Sequence, residues 1–494
     1  VFKTISGKYG LNFIHRENPF DDFESQVLLP HKMSSMGPSM AKGDINGDGL
    51  DDFFVGGSAG IPANLYVQMQ NGSFLSLPQD FLQADRIHED LGAAFLDVDG
   101  DGDQDLYVVS GGNEFPQNSL YYQDRLYLND GKGIFQKVPD RLPEIRQSGS
   151  KVYPQDYDQD GDMDLFVASR HVPASYPQAA SSILLRNDEG YFSDVSSEVF
   201  PELKEIGMIN DAAWFDYDND GWQDLVLVGE WTPIQIFSNK QDRFEKIASE
   251  GLEDSQGWWF SLEKADIDHD GDMDLIAGNL GLNYKYKASP EEPFGVYYYD
   301  FDENGSEDVV LSYYNFGIEF PLRGRECSSQ QIPQLKEEFK TYDLFAGSDL
   351  AQIYGEDKLE TSLHYEAYTF SSVYIENKGG GNFAVHQMPI EAQFSSVNDI
   401  LIRDFNQDKK LDVLLVGNLY DAEVETSRND AGIGLLLLGD GKGNFESLSA
   451  EESGVKLPYD VKSLLEIQSG EKSLILVGCN NDKMQTLELM SLDR

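Results

Sequence analysis

Seven segments of the chain share one pattern of apolar and polar residues. A short apolar run is followed by an Asp-rich nonapeptide and then by a second apolar run. Residues 106–109 and 413–416 are examples of the second run. The runs are rich in Val, Ile, Phe and Tyr, and several end in glycine, as at Gly56, Gly229 and Gly417. This pattern predicts a strand, a loop and a strand in each segment.

Most repeats carry a second hairpin signal, such as Asp130-Gly131 before Phe135 and Asp440-Gly441 before Phe445. Four short antiparallel strands per repeat make a propeller blade, so the fold class is all-β with seven or eight blades. The loops begin 53, 59, 60, 50, 34 and 104 residues apart. The loop at 300 therefore either opens a blade of its own or lies in the outer hairpin of the blade that begins at 266. Counting it as a blade gives eight, which we favour, and treating 294–314 as an insertion gives seven.

The ends of the chain predict how the propeller closes. Residues 2–6 match the fourth strand at 244–248, and a degenerate repeat at 461–489 has clear room for only three strands. We therefore expect one propeller over 1–494, in which the strand at about 1–6 completes a last blade at about 461–494 and leaves no open edge. A helical insertion is predicted at about 323–361. Because residue 1 already lies in a strand, we expect a mature product or part of a longer chain.

Composition narrows the function. Hydrophobic residues make up 40% of the 494 residues, which excludes disorder, and no apolar run is long enough to insert into a membrane. The net charge of −50 disfavours binding to nucleic acid or anionic lipid. Cys327 and Cys479 are the two cysteines, which excludes a disulfide framework.

The nonapeptides have the residues of a calcium loop, with side-chain oxygens at positions 1, 3, 5 and 9 and a backbone carbonyl at position 7. Asp fills 25 of the 28 side-chain positions and Asn fills three. The predicted metal ligands are Asp44, Asn46, Asp48, Leu50 and Asp52 in loop one; Asp97, Asp99, Asp101, Asp103 and Asp105 in loop two; Asp156, Asp158, Asp160, Asp162 and Asp164 in loop three; Asp216, Asp218, Asp220, Trp222 and Asp224 in loop four; Asp266, Asp268, Asp270, Asp272 and Asp274 in loop five; Asp300, Asp302, Asn304, Ser306 and Asp308 in loop six; and Asp404, Asn406, Asp408, Lys410 and Asp412 in loop seven.

Two arguments favour about seven Ca²⁺ ions over plain acidic turns. Carboxylates about 5 Å apart repel one another by about 0.8 kcal/mol even in water, and each loop contains several such pairs. An EF-hand needs Glu at position 12, where this chain has Val, Leu or Ala in a strand. Glycine at position 6 permits the sharp turn, and loop seven departs from this pattern with Lys409.

The chain resembles the FG-GAP or VCBS-repeat proteins, which include the propellers of integrin α-subunits and many bacterial surface proteins. The resemblance rests on the seven nonapeptides and on the glycine-bearing segment 54–60. Segments 29–33, 278–283, 287–293 and 377–381 look like the bacterial VCBS-repeat proteins related to the cartilage acidic protein group. The resemblance implies that the loop carboxylates bind calcium at one rim and that the opposite face recognises partners.

Three functions remain open. The first is a secreted, periplasmic or cell-surface propeller that binds a protein or glycan at one face, within a larger assembly or a longer chain. The second is a polysaccharide lyase, which would combine residues such as His171, Tyr286 or Arg323 in a central groove. The third is a structural domain of a larger exported protein. Exposed tryptophans would favour a sugar site, but we expect Trp214 and Trp258 to pack between blades and only the Trp222 ring to point outward.

Overall fold

The computed structural model describes residues 1–490, and these form a β-propeller, as predicted. The chain folds into eight four-stranded antiparallel sheets, which are the blades. Strand Gly257–Trp258 adds a short fifth strand to one of them. None of the helices in this part of the chain is long and apolar enough to cross a bilayer.

Seven blades, called ring blades one to seven, form a closed ring in which each inner strand contacts the next. The inner strands are Met40–Gly43, Asp90–Leu96, Gly149–Gln155, Met208–Phe215, Ser261–Ala265, Val397–Arg403 and Val461–Ser469. The other strands, from blade one to blade seven, are Asp52–Val55, Asn64–Gln68 and Phe74–Ser76; Asp105–Ser110, Arg125–Leu128 and Gln136–Lys137; Asp164–Ser169, Ile183–Asp188 and Tyr191–Asp194; Asp224–Thr232, Gln235–Asn239 and Phe244–Lys246; Asp274–Gly278, Val373–Asn377 and Phe383–Gln387; Asp412–Gly417, Leu435–Gly439 and Phe445–Leu448; and Lys472–Cys479, Gln485–Leu489 and Phe2–Thr4.

The eighth sheet, called the inserted blade, branches from ring blade five between its second and third strands. Its strands are Phe294–Tyr299, Asp308–Asn315, Ile318–Pro321 and Leu363–Ala367. The last of these pairs with the first, so the first strand is not at the edge as it is in a ring blade. Both counts made from the sequence therefore describe the molecule: it has eight blades, and seven of them close the ring.

Helices are few and short. Five follow one another within the inserted blade, at Arg325–Gln331, Leu335–Glu338, Tyr342–Ala346, Leu350–Tyr354 and Glu356–Thr361. Their apolar residues pack with Tyr297, Phe301 and Val310 on one face of that sheet. The remaining α-helices are Asp80–Ala84, Ser196–Val199 and Ala450–Ser453, and the 3₁₀ turns are Asp22–Glu24, Leu120–Tyr122, Pro139–Arg141, Pro201–Glu205 and Ile390–Gln393.

The ring is held by a hydrophobic cluster between every two neighbouring blades. A further cluster joins the ring to the inserted blade, where Phe294 stacks on Trp231 with centroids 5.8 Å apart. Side-chain hydrogen bonds also link the inner strands, as from Ser261 Oγ to the Val397 carbonyl (2.8 Å). The insertion and the ring therefore share buried apolar surface and do not form separate cores.

Both ends of the chain meet in ring blade seven, where Phe2–Thr4 pairs antiparallel with Gln485–Leu489. Residues 491–494 of the predicted last blade lie outside the described residues. The segment that follows the first strand crosses the ring: Ile14 bridges Lys483 in blade seven, Asp22 accepts from Asn113 Nδ2 in blade two at 2.7 Å, and His31 bridges Ala422 in blade six. These partners lie in second-to-third strand connections, which are at the opposite end of a blade from the Asp-rich loops. This segment therefore covers the face away from the loops.

The glycines that end the second strands are required by close approach of backbone. A Cβ atom on Gly229 would lie 1.8 Å from the Met208 carbonyl oxygen, and one on Gly417 would lie 1.8 Å from that of Ser396. No larger residue fits at these two positions without moving the inner strand. Cys327 and Cys479 are both free thiols.

Candidate metal centres

Each Asp-rich nonapeptide connects the first and second strands of a blade. Six of them lie in ring blades one to six and the seventh, loop six, lies in the inserted blade. Neighbouring loops touch: Gln159 of loop three donates to the Gly221 carbonyl of loop four, and Asn219 of loop four donates to Asp272 of loop five, both at 2.8 Å. The six ring loops therefore lie along one rim.

The first Asp of each loop organises the turn. In six loops its carboxylate accepts a hydrogen bond from the backbone N–H of position 6, at 2.8 to 3.2 Å. Lys409 makes this contact with Asp404, so loop seven has the same turn in spite of its lysine. The φ angle of Lys409 is +71°, in the left-handed region that favours glycine.

Position 4 is also left-handed in all seven loops, a requirement that the sequence pattern did not reveal. The φ angles lie between 58° and 75° although the residues differ: Gly47, Gly100, Gln159, Asn219, His269, Glu303 and Gln407. Gly, Asn and other polar residues tolerate this conformation best.

The ninth Asp has a structural role in addition to the predicted one. One carboxylate oxygen accepts a hydrogen bond from the N–H of position 2 in every loop, at 2.9 to 3.2 Å. In the six ring loops the other oxygen accepts the N–H of a third-strand residue, as from Asn187 to Asp164 at 2.8 Å. The ninth Asp therefore ties the loop to the third strand of its own blade.

The third strand in turn reaches the preceding blade. Asn187 Nδ2 donates to the Val98 carbonyl in loop two, at 2.8 Å. Asn129, Asn239 and Asn377 make the equivalent bonds to loops one, three and four. The recurring Asn at the end of the third strand is the signal in the sequence that corresponds to this link.

Carboxylates converge in five of the loops. One oxygen from each of three aspartates lies within 4.8 Å of the others in loops two to six, and the groups are Asp97, Asp99 and Asp101; Asp156, Asp158 and Asp164; Asp216, Asp218 and Asp224; Asp266, Asp268 and Asp270; and Asp300, Asp302 and Asp308. Loops one and seven have Asn46 and Asn406 at position 3, where an amide oxygen replaces the carboxylate.

The residues present fit a hard cation. Buried carboxylate oxygens without a hydrogen-bond partner occur in loops two, three, five and six, on Asp103, Asp156, Asp158, Asp266 and Asp302. A buried carboxylate oxygen without a donor is costly unless a cation contacts it. All of the side-chain donors are oxygens, which is the set that calcium and magnesium prefer. The fifth position joins the first and third in loops two and five, and the ninth does so in loops three, four and six, so the sites are unequal.

Burial changes the acidity of the ninth Asp. It raises the pKa of Asp52, Asp224 and Asp274 to about 6. It raises the pKa of Asp105, Asp164 and Asp308 to about 7, and nearby carboxylates act in the same direction. Keeping these groups ionised therefore costs free energy, and a bound cation would offset that cost.

The residues named for a lyase do not form an open groove. His171 is buried and contacts Asn113 Oδ1 at 3.2 Å. Tyr286 and Arg323 lie together in another buried network, in which Arg323 pairs with Glu423. All three side chains are at most 2% exposed, so a polymer could not reach them.

The tryptophans are mostly core residues. Trp214 packs between ring blades three and four, as expected. Trp258 is fully buried where the ring meets the inserted blade, and Trp231 lies beside it. Trp222 in loop four is partly exposed.

Comparison with known families identifies the repeats. A model of the FG-GAP-like repeat matches residues 44–108, 97–167 and 216–277, which contain loops one to five. The chain is a β-propeller that contains FG-GAP-like repeats. No curated protein matches this FG-GAP propeller significantly.

Solved propellers resemble the chain only distantly. An Agrocybe aegerita lectin, described as recognising non-reducing terminal N-acetylglucosamine, has 12% identity and a TM-score of 0.45, and the match covers 90% of this chain and 94% of the lectin. The biofilm matrix protein Bap1 of V. cholerae has 11% identity and a TM-score of 0.38, with 99% and 92% covered. YCF48 from Cyanidioschyzon merolae has 8% identity and a TM-score of 0.43, with 94% and 98% covered. Similarity this weak carries no information about a ligand.

Proposed function

We propose that this FG-GAP propeller is a calcium-stabilised scaffold, secreted, periplasmic or on a bacterial cell surface, that binds a protein or glycan partner. The convergence of three carboxylates in each of loops two to six is the observation that carries the proposal. A compartment rich in calcium would keep such sites filled, whereas sensor-type sites for the cytosol need higher affinity.

The ions would act on the scaffold and not on a substrate. The Asp and Asn side chains at positions 1, 3, 5 and 9 would hold each cation, and the cation would supply positive charge that offsets the repulsion between the carboxylates. The protein's own part is the turn held by the first Asp and the link from the ninth Asp to the third strand. Stiff loops would fix neighbouring blades in place and so preserve the shape of the opposite face.

Removing the ions tests this proposal. Each site adds about 2.7 kcal/mol of stability when free calcium is 100 times its dissociation constant. We expect the melting temperature, measured by circular dichroism, to fall by at least about 10 °C when EGTA replaces 2 mM CaCl₂. An unchanged melt would refute the calcium assignment.

A matched pair of variants locates the effect. We expect the double variant Asp156→Asn and Asp158→Asn to bind one calcium ion fewer, as measured by elemental analysis. The fall in its melting temperature on addition of EGTA should also be smaller. The control pair Asp188→Asn and Asp194→Asn lies at exposed positions outside the loops and should change neither. Restoration by magnesium alone, at equal concentration, would reassign the sites to that ion.

A further inference from the structure

A groove of about 520 Å³ lies between the inserted blade and the segment that leads into it from ring blade five. This volume falls in the range of small-molecule binding sites, about 300–1,000 Å³. The groove begins where the second strand of blade five ends, so it is on the side away from the ring loops. The residues that line the groove include Lys285, Lys287, Ser289, Glu292, Tyr313 and Leu322.

Two lysines and one carboxylate, that of Glu292, line the groove of this otherwise acidic protein. Lys285 and Lys287 are exposed, and neither ammonium group has a carboxylate oxygen within 4.0 Å among the described residues. Lys285 Nζ donates to the Glu425 carbonyl at 3.3 Å, and Lys287 Nζ donates to the Leu282 carbonyl. Each therefore keeps donors free for a ligand anion. Since salt screens exposed charges beyond about 8 Å, the local charge of the groove is set by these two lysines and the Glu292 carboxylate, and not by the net charge of −50.

The apolar wall of the groove is aromatic. Tyr313 is 37% exposed, and Phe316 and Ile318 at the neighbouring turn are 95% and 50% exposed. The groove is also lined by Tyr286 and Phe294, which stack with centroids 4.6 Å apart and are both fully buried. The exposed tyrosine offers an apolar ring surface and a hydroxyl group.

Hydrogen bonds hold the two sides of the groove together. Glu292 Oε1 accepts the Gly317 N–H of the hairpin turn at 3.2 Å, which joins the segment to the inserted blade. Ser289 Oγ accepts the Glu292 N–H at 3.0 Å and closes the turn before it. The groove is thus formed before any ligand binds, which lowers the entropic cost of binding.

We infer that this groove binds a short acidic saccharide, whose sugar ring packs on Tyr313 and whose carboxylate pairs with Lys285 and Lys287. The C–H face of a pyranose suits the tyrosine ring, and Ser289 and Glu292 can bond its hydroxyl groups. An acidic peptide could use the lysines but would not need a flat aromatic wall beside hydroxyl partners. This inference rests on the proposed function as a binding scaffold and names its ligand class.

Calorimetry with trigalacturonate, using the calcium-loaded full chain, tests the inference. We expect binding that weakens at least tenfold in the double variant Lys285→Gln and Lys287→Gln, and at least fivefold in Tyr313→Ala. The control variants, Lys132→Gln with Lys442→Gln in exposed hairpin turns and Tyr191→Ala on ring blade three, should bind as the natural chain does. Binding should also weaken between 50 and 500 mM NaCl.

Other results would overturn the inference. Absence of trigalacturonate binding, or equal binding by the lysine variant, would exclude the groove as an acidic-sugar site. Equal binding of uncharged maltotriose would exclude a carboxylate requirement, and tighter binding of hexaglutamate would reassign the groove to acidic peptides. The melting temperature with and without EGTA is measured on the same samples. A failure of the sugar-binding inference is therefore distinguishable from a failure of the calcium proposal.

Discussion

Loop six of the inserted blade and the six loops of the ring have the same nonapeptide pattern but different surroundings. In the ring the ninth Asp accepts two backbone N–H groups, one of them from the third strand. Asp308 of the inserted blade accepts the Phe301 N–H at position 2, and no equivalent bond from the third strand is present in the described residues. The strand order differs as well, because the first strand of the inserted blade has a partner on each side.

This difference separates two properties of the repeat. The nonapeptide specifies a hairpin and a converging set of carboxylates in both places. A backbone bond from the third strand to the ninth Asp is present in all six ring loops, and in ring blades two to five an Asn at the end of that strand also bonds to the preceding loop. The inserted blade has the first property and lacks the second, so it can attach to the ring without widening it.

The largest expected effect concerns the core that joins the two regions. Phe294 is fully buried against Trp231, Trp258 and Tyr286. We expect Phe294→Ala to lower the free energy of unfolding by about 3–5 kcal/mol, since it leaves a cavity. Urea unfolding should remain a single transition, and the exposed Phe316→Ala should change stability by less than about 0.5 kcal/mol. Two separate transitions would show that the inserted blade folds independently.

The second expected effect concerns the ninth Asp, compared between a ring loop and loop six of the inserted blade. We expect Asp105→Asn to lower the free energy of unfolding by about 0.5–1.5 kcal/mol more than Asp308→Asn, because Asp105 also accepts the Asn129 N–H. Both should be measured in EGTA, so that metal binding does not contribute. Burial raises the pKa of both carboxyl groups to about 7, so at pH 8 each substitution also removes a similar cost of burying an ionised group, and the difference between the two variants reports the third-strand bond. Equal losses would mean that the third-strand bond contributes nothing.

A comparable effect is expected for the link between ring blades. Asn187→Ala removes the donor to the Val98 carbonyl and leaves that buried oxygen without a partner. We expect the free energy of unfolding to fall by about 1–2 kcal/mol. Asn71→Ala, in an exposed turn, is the control. Similar values for the two variants would contradict the role of the amide as a link.

The smallest effect is a gain in stability. Lys409 holds a left-handed conformation that costs about 1 kcal/mol for a residue with a side chain. Lys409→Gly should therefore stabilise the protein by about 0.5–1 kcal/mol in thermal melts with EGTA. Lys410→Gly, where φ is not positive, should destabilise it slightly. A loss of stability in Lys409→Gly would show that loop seven is not strained.

Much of the architecture could be read from the residues. The period of the apolar runs and the position of the aspartates predicted the hairpins, the loops and the closing strand at 2–6. The left-handed residue at position 4 was missed because its side chain varies from Gly47 to Glu303. The groove beside the inserted blade was missed because Lys285 and Tyr313 are distant in sequence and belong to no repeat.

By itself the sequence determined the local units, because a turn of nine residues depends on short-range sterics and on which side chains can accept nearby N–H groups. The tertiary structure decided how the units combine. Whether the sheet at 294–367 enters the ring depends on burial of Phe294 against Trp231 and on hydrogen bonds between distant strands. The nonapeptide does not specify those contacts, since it forms the same strand–loop–strand unit in the ring and in the inserted blade.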